Sequence, residues 1–250
     1  MNELHLHARA PQSRAHRYAA YFAPPIGSAW CEAGNRWLGR CAANGQTWPQ
    51  PVFESLPVGL QFKRTAAPRR YGWHATLAAP FTLLPQIEES TLREGLQTLC
   101  RAWEPFDMPA LEVALLDDFL ALVPARPSPA LHAMAAACVT GLHAFAEPLS
   151  PGELQRRRAA GLTPEEDALL LRWGYPFVLE RFRFHMSLTG SLRDTEPGMV
   201  QALRAAAQQH FGPLLASQST QPLRFDAISL FAEPTPGADF VCLAQMELGR

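Results

Sequence analysis

The stretches RYGWHATL (residues 70–77) and RFRFHMSL (residues 181–188) spell one pattern twice: Arg, aromatic, any residue, aromatic, His, any residue, hydroxyl, Leu. The second copy starts 111 residues after the first, in a chain of 250 that is not otherwise repetitive. Side chains alternate faces along a β-strand with period two. Read as a strand, the first octet puts Tyr71, Trp73, Ala75 and Leu77 on one face and Arg70, Gly72, His74 and Thr76 on the other. The second puts Phe182, Phe184, Met186 and Leu188 on one face; Arg181, Arg183, His185 and Ser187 share the opposite one, continued by Thr189. Each octet therefore offers one greasy face to a core and one face of cation, imidazole and hydroxyl without a carboxylate. A solvated strand face would accept Lys, Glu, Gln or Asp as readily, so the repeated donors predict a shared site.

Working outward, YAAYFA (18–23), closed by Pro24-Pro25, predicts a short buried strand. Trp30, Trp37, Leu38 and Cys41 recur at helical spacing over 27–43, and the Pro-rich segment 46–70 reads as loop. Leu92, Leu96, Leu99 and Trp103 form one helical stripe over 88–103, and LEVALLDDFLALVP (111–124) predicts a hairpin around Asp117-Asp118. An Ala-rich helix follows over 128–146. Thr163-Pro164-Glu165-Glu166 is a capping box that opens a helix, which Gly174 and Pro176 then stop. A helix near 195–210 and closing strands at 223–233 and 240–248 complete the order. The mixture predicts an α+β fold with mostly antiparallel sheets. The two octets predict one bilobal domain over 1–250 with a pseudo-twofold, preceded by a polar tail (1–16). Segment 147–176 is a helical insert placed so that it could close over a cleft; the Arg156-Arg157-Arg158 run within it reads as a solvated helix face.

Composition narrows the function classes. With 48% hydrophobic residues the chain can bury a real core, and a formal charge of −1 gives no global field to recruit nucleic acid or anionic membrane. Lys63 is the only lysine, so an anion site here is built from Arg. The five cysteines are widely spaced with no C-x-x-C pair, which fits a reduced, cytoplasmic setting and disfavours a thiolate zinc site. No apolar run reaches the roughly 18 residues of a membrane span, and the first residues lack a signal-peptide core. Neither G-x-x-x-x-G-K-(S/T) nor G-x-G-x-x-G nor G-x-S-x-G occurs, so NTP-dependent, dinucleotide-dependent and serine-hydrolase chemistry gain no support.

Imidazole titrates near neutrality and serves as acid or base, so two histidines on facing walls suit in-line displacement at phosphorus. Thr76 and Ser187 would then hold non-bridging phosphoryl oxygens, with Arg183 as the first-choice cation and Arg70 and Arg181 after it. Tyr18 and Tyr21 are assigned to packing.

The paired H74-A-T76-L and H185-M-S187-L resemble the H-x-(T/S)-hydrophobic motifs of the 2H phosphoesterase superfamily. RYAAYFAPP, YGWHATLAAPF, LLDDFLALVP, GLTPEEDALLLRWGYP and FRFHMSLTG resemble, over most of the chain, the DUF1045 group associated with phosphonate utilisation. The resemblance implies a bilobal 2H phosphoesterase fold with two sheets around a central cleft, one motif facing in from each lobe. It implies a metal-independent, cofactor-free phosphodiesterase acting on a small phosphodiester, commonly a cyclic phosphate, with His74 and His185 as the acid–base pair. The alternative is a non-catalytic module that binds phosphorylated ligands or RNA ends, RNA being disfavoured by the modest charge.

Overall fold

The histidine motifs lie on strands that touch. The computed structural model describes residues 14–159 and 161–250. Of the expected tail, residues 1–13 lie outside the described residues; Arg14 donates to the Leu83 and Pro85 carbonyls, and the Ala15 N–H donates to the Tyr18 hydroxyl.

Among the described residues the nine strands are β1 (Arg17–Phe22), β2 (Ala75–Phe81), β3 (Phe106–Asp107), β4 (Leu111–Leu116), β5 (Phe119–Pro124), β6 (Met186–Ser187), β7 (Arg224–Phe225), β8 (Ala227–Glu233) and β9 (Val241–Glu247). Seven form one sheet in the order β4-β5-β6-β2-β1-β8-β9, every pair antiparallel, and β3 pairs with β7 in a separate ribbon. The expectation of two sheets around a cleft is corrected here. β6 bonds to β2 on one side and β5 on the other, so the strands carrying the two octets fuse both halves into one sheet. The α+β class with antiparallel pairing holds.

Helices α1 (Ala29–Leu38), α4 (Glu89–Arg101), α5 (Pro129–Leu142) and α8 (Pro197–Ser217) bury their apolar stripes against one sheet face. That face presents Tyr18, Ala20 and Phe22 of β1, Leu77 of β2, Leu120 and Leu122 of β5, and Ile228 and Leu230 of β8. The other face carries a smaller cluster that includes Ala19, Tyr21, Phe231 and Phe240. Period-two alternation thus decides which side is core and which side is site.

Local chemistry explains the boundaries. Ser28 caps α1 by accepting from the Cys31 N–H, and Gly39 ends it in the left-handed region. The Thr163–Glu166 box opens α7 (Pro164–Trp173) and Gly174 closes it; a second box, Ser150–Glu153, opens α6 (Pro151–Arg158). Segment 46–70, read as loop, holds two short helices, α2 (Leu60–Arg64) and α3 (Ala66–Tyr71). Their few apolar residues form no stripe long enough to register as helical periodicity. Among the described residues no helix is long and apolar enough to cross a membrane.

Candidate functional site

Only the C-terminal half of each octet is strand. Arg70 and Tyr71 end α3, and Gly72 then turns the chain with φ +82°, where an added Cβ would stand 2.5 Å from Ala42 Cβ. In the second octet Arg181 closes a 3₁₀ turn (Leu179–Arg181), and the chain reaches β6 through the 182–185 link. In the second octet the expected alternation still holds throughout, with Phe182, Phe184, Met186 and Leu188 in the core and Arg181 and Arg183 exposed; in the first it holds from Trp73 onward and fails at Tyr71.

Ala75 pairs with Met186, and both point to the core. One step outward along that register, His74 lies opposite Ser187 and His185 opposite Thr76, so the two histidines are diagonal neighbours, about 7–8 Å apart in such a pair. His74 Nδ1 lies 2.9 Å from the Gly72 carbonyl and His185 Nδ1 lies 2.8 Å from the Arg183 carbonyl. A carbonyl only accepts, so each Nδ1 carries the proton and donates, leaving each Nε2 lone pair unprotonated. At His74 that lone pair accepts from the Thr76 hydroxyl at 3.3 Å. Tyr21 stacks on the His74 ring at 3.9 Å and 26°, while Phe119 meets His185 edge-on at 5.5 Å.

Burial pushes the His74 pKa down to about 4; the bond to the Gly72 carbonyl opposes this and the nearby His185 adds to it. His185 is lowered too, by burial first, with the Arg183 charge assisting and Asp117 opposing. Both imidazoles are neutral at pH 7.

His74, Thr76 and Ser187 line a cleft of about 370 Å³ on the sheet face opposite the main core, and His185 stands beside its walls without being one of them. Its walls include Tyr71 of α3, Arg17 and Tyr21 of β1, Arg157 of α6, and Tyr175 just after α7. Arg17 is held 2.5 Å from Glu233, a carboxylate only 1% exposed that also bonds Arg70 and accepts from the Gly237 N–H. Burial alone would raise Glu233, but the Arg17 hydrogen bond, the Gly237 N–H and the two guanidinium charges bring it below the usual carboxylate value.

The sequence-selected arginines stand elsewhere. Arg183 pairs with Asp117 at 2.6 Å, both largely exposed, and borders a different cavity. Arg70 is spent on Glu233 and on the Gly237 and Ala238 carbonyls. Arg181 faces Glu165 at 3.9 Å. Tyr71, assigned to the core face, borders the cleft because its backbone is helical. Arg17 carried no expectation, although it shares strand parity with Tyr21. Tyr21, assigned to packing, is buried and yet forms the wall under His74. Arg157, assigned to a solvated face, is half-buried in the cleft, and no periodicity in α6 marks it, since that helix buries no residue.

The family described as a protein of unknown function (DUF1045) matches residues 76–241. Curated relatives include a protein of Janthinobacterium sp. (strain Marseille), 40% identical over 225 residues, the match covering 90% of this chain and 49% of the relative. Another, of Laribacter hongkongensis (strain HLHK9), is 37% identical over 228 residues, covering 90% of this chain and 50% of the relative. Each is named "Ribose 1,5-bisphosphate phosphokinase PhnN". The chain spans about half the length of the curated relatives it matches. Those names overturn the expectation of a metal-independent phosphodiesterase, and the hydrolase reading with it: they denote phosphoryl transfer to a sugar phosphate, not hydrolysis of a diester.

Proposed function

The chain belongs to the DUF1045 family, and on that premise we propose that its cleft is the sugar-phosphate subsite of a phosphoryl-transfer enzyme, taking a phosphorylated pentose of the ribose bisphosphate class. The observation that carries this is the convergence of the His74 imidazole, the Thr76 and Ser187 hydroxyls and two arginines, Arg17 and Arg157, on one cleft of about 370 Å³, large enough for a pentose and its phosphates. Neutral imidazoles with Nε2 lone pairs accept protons from sugar hydroxyls or from a protonated phosphate, and Ser187 donates to a phosphoryl oxygen, joined by Thr76 once the ligand takes over His74 Nε2 and frees its hydroxyl. The relatives' names supply the ligand class.

We assign no residue of this chain to a nucleotide. A phosphate-cradling loop needs a glycine-rich turn and a lysine, and Lys63 stands in QFKR without one. The α6–α7 segment is read as the side of the cleft that closes on the ligand, because it brings Arg157 and Tyr175 to the wall. The octets are further read as pseudo-symmetric about the β2/β6 pair, whose partners Ala75 and Met186 are themselves 111 residues apart.

Titration calorimetry with ribose 1,5-bisphosphate, ribose and ATP tests the assignment. Saturable binding of the bisphosphate, absent for ribose and for ATP and weakened tenfold or more by His74→Gln, is expected. No binding of the bisphosphate would sink the subsite, and binding of ATP with transfer by this chain alone would relocate the nucleotide site onto it.

A further inference from the structure

Arg157 is the cation of the cleft with no partner. Among the described residues it makes no hydrogen bond and no ion pair, although a guanidinium carries five N–H donors. Its own neighbour Arg158 is held by both carboxylate oxygens of Asp167, at 2.6 and 2.9 Å. Arg157 instead leans over the Tyr175 ring at 5.8 Å and faces the same cleft as Arg17. Burial lowers its pKa; Tyr175 and Glu153 oppose that, and the like charge of Arg17 adds to it. The nearby carboxylates are committed: Glu233 to Arg17, Arg70 and the Gly237 N–H, and Glu153 to the N–H and hydroxyl of Ser150. Two guanidiniums thus converge on one corner where burial makes an unmatched cation costly.

We propose that Arg157, Arg17 and the Tyr175 and Tyr71 side of the cleft form a second anion subsite, which anchors a non-reacting phosphate monoester while the His74, Thr76 and Ser187 floor holds the group that reacts. This rests on the sugar-phosphate reading above and specifies its ligand as bis-phosphorylated. The division follows from the chemistry of the two corners. A guanidinium does not exchange its proton near neutrality, so it anchors charge without taking part in proton transfer. The neutral imidazoles offer lone pairs but little charge, so they suit proton movement better than the anchoring of a dianion. A phosphate monoester carries close to two negative charges at pH 7, which gives the Arg157 donors and the Arg17 fork their missing acceptors.

The experiment is a set of binding titrations of ribose 1,5-bisphosphate and ribose 5-phosphate to the wild type, Arg157→Gln, His74→Gln and Arg156→Gln. Arg156 sits on the same helix, is exposed, and does not border the cleft, so its variant reports the loss of general positive charge. Because α6 buries no side chain, Arg157→Gln is expected to melt with the wild type. The monophosphate is expected to choose the charged corner. Arg157→Gln then weakens both ligands tenfold or more, His74→Gln weakens only the bisphosphate, and Arg156→Gln changes neither by more than twofold. If His74→Gln and Arg157→Gln weaken the monophosphate alike, the cleft has one shared subsite and the proposal fails. It fails equally if Arg157→Gln matches the wild type with both ligands. Absence of any sugar-phosphate binding by the wild type would instead overturn the parent reading, and this one with it.

Discussion

The two octets start from nearly the same letters and end as different environments. His74 is clamped: Tyr21 stacks on its ring, Thr76 donates to Nε2, and Trp73 beside it is driven into the core against Phe211 at 5.4 Å and 18°. That close fit depends on Gly34 of α1, where an added Cβ would meet Trp73 Cγ at 2.1 Å. The corresponding Phe184 meets Phe22 tilted, at 5.8 Å and 51°, and His185 meets the edge of Phe119. His185 also sits next to an exposed Arg183–Asp117 pair, whereas no ion pair touches His74. A repeated motif thus yields one rigid, strongly depressed imidazole and one more open one. The tertiary neighbours, not the octet, set the difference.

The largest effect expected from breaking this asymmetry is at Gly34. Gly34→Ala forces Trp73 out of its slot and should cost about 3 kcal/mol, a fall of roughly 6–12 °C in Tm, as overpacking of a tight core does. Urea unfolding measures it, and a loss below about 1 kcal/mol would mean that the first octet is no more tightly seated than the second. Adding Trp73→Phe to the Gly34→Ala protein should recover part of the loss.

Next comes the pH dependence. The His74 pKa is lowered from 6.5 to about 4, so the unfolded chain binds a proton that the folded state refuses between those values. Stability conferred by the neutral ring is complete above about pH 6.5 and is lost as pH falls toward 4, by about 2 kcal/mol after allowing for the partly exposed ring. His74→Gln should flatten that slope, and His185→Gln should flatten it less. Equal flattening by both would erase the distinction between the two imidazoles.

The smallest effect is expected at Arg183. Its partner Asp117 is as exposed as it is, so Arg183→Ala should cost under about 1 kcal/mol and leave ribose 1,5-bisphosphate affinity within twofold. A tenfold loss of affinity would show that the side chain leaves Asp117 for the ligand and would return it to the site.

Much of this was legible in the sequence, for reasons that are local. The Asp117-Asp118 hairpin, the Thr163–Glu166 box with its Gly174 stop, and the apolar stripe of α4 arise from neighbours within a few residues, which one-dimensional spacing captures. The placement of His74 with Thr76 and His185 with Ser187 follows from the same alternation, because those pairs do occupy strand ends. Where the first octet was not strand, the same rule misled: Tyr71 and Arg70 close a helix, so Tyr71 turns to the cleft instead of the core.

By itself, then, the sequence determined the longer helices and strands and the pairing of imidazole with hydroxyl, both matters of short-range periodicity, and its quoted motifs carried the family resemblance. Tertiary structure alone decided that the halves merge into one sheet, because β6 found hydrogen-bonding partners on both edges. It alone chose the arginines as well. A guanidinium on a long side chain goes to whichever carboxylate folding brings within reach, and Arg17 meets Glu233 from 216 residues away. Among the described residues Arg157 pairs with no carboxylate, and its place in the cleft follows from how α6 packs beside Tyr175.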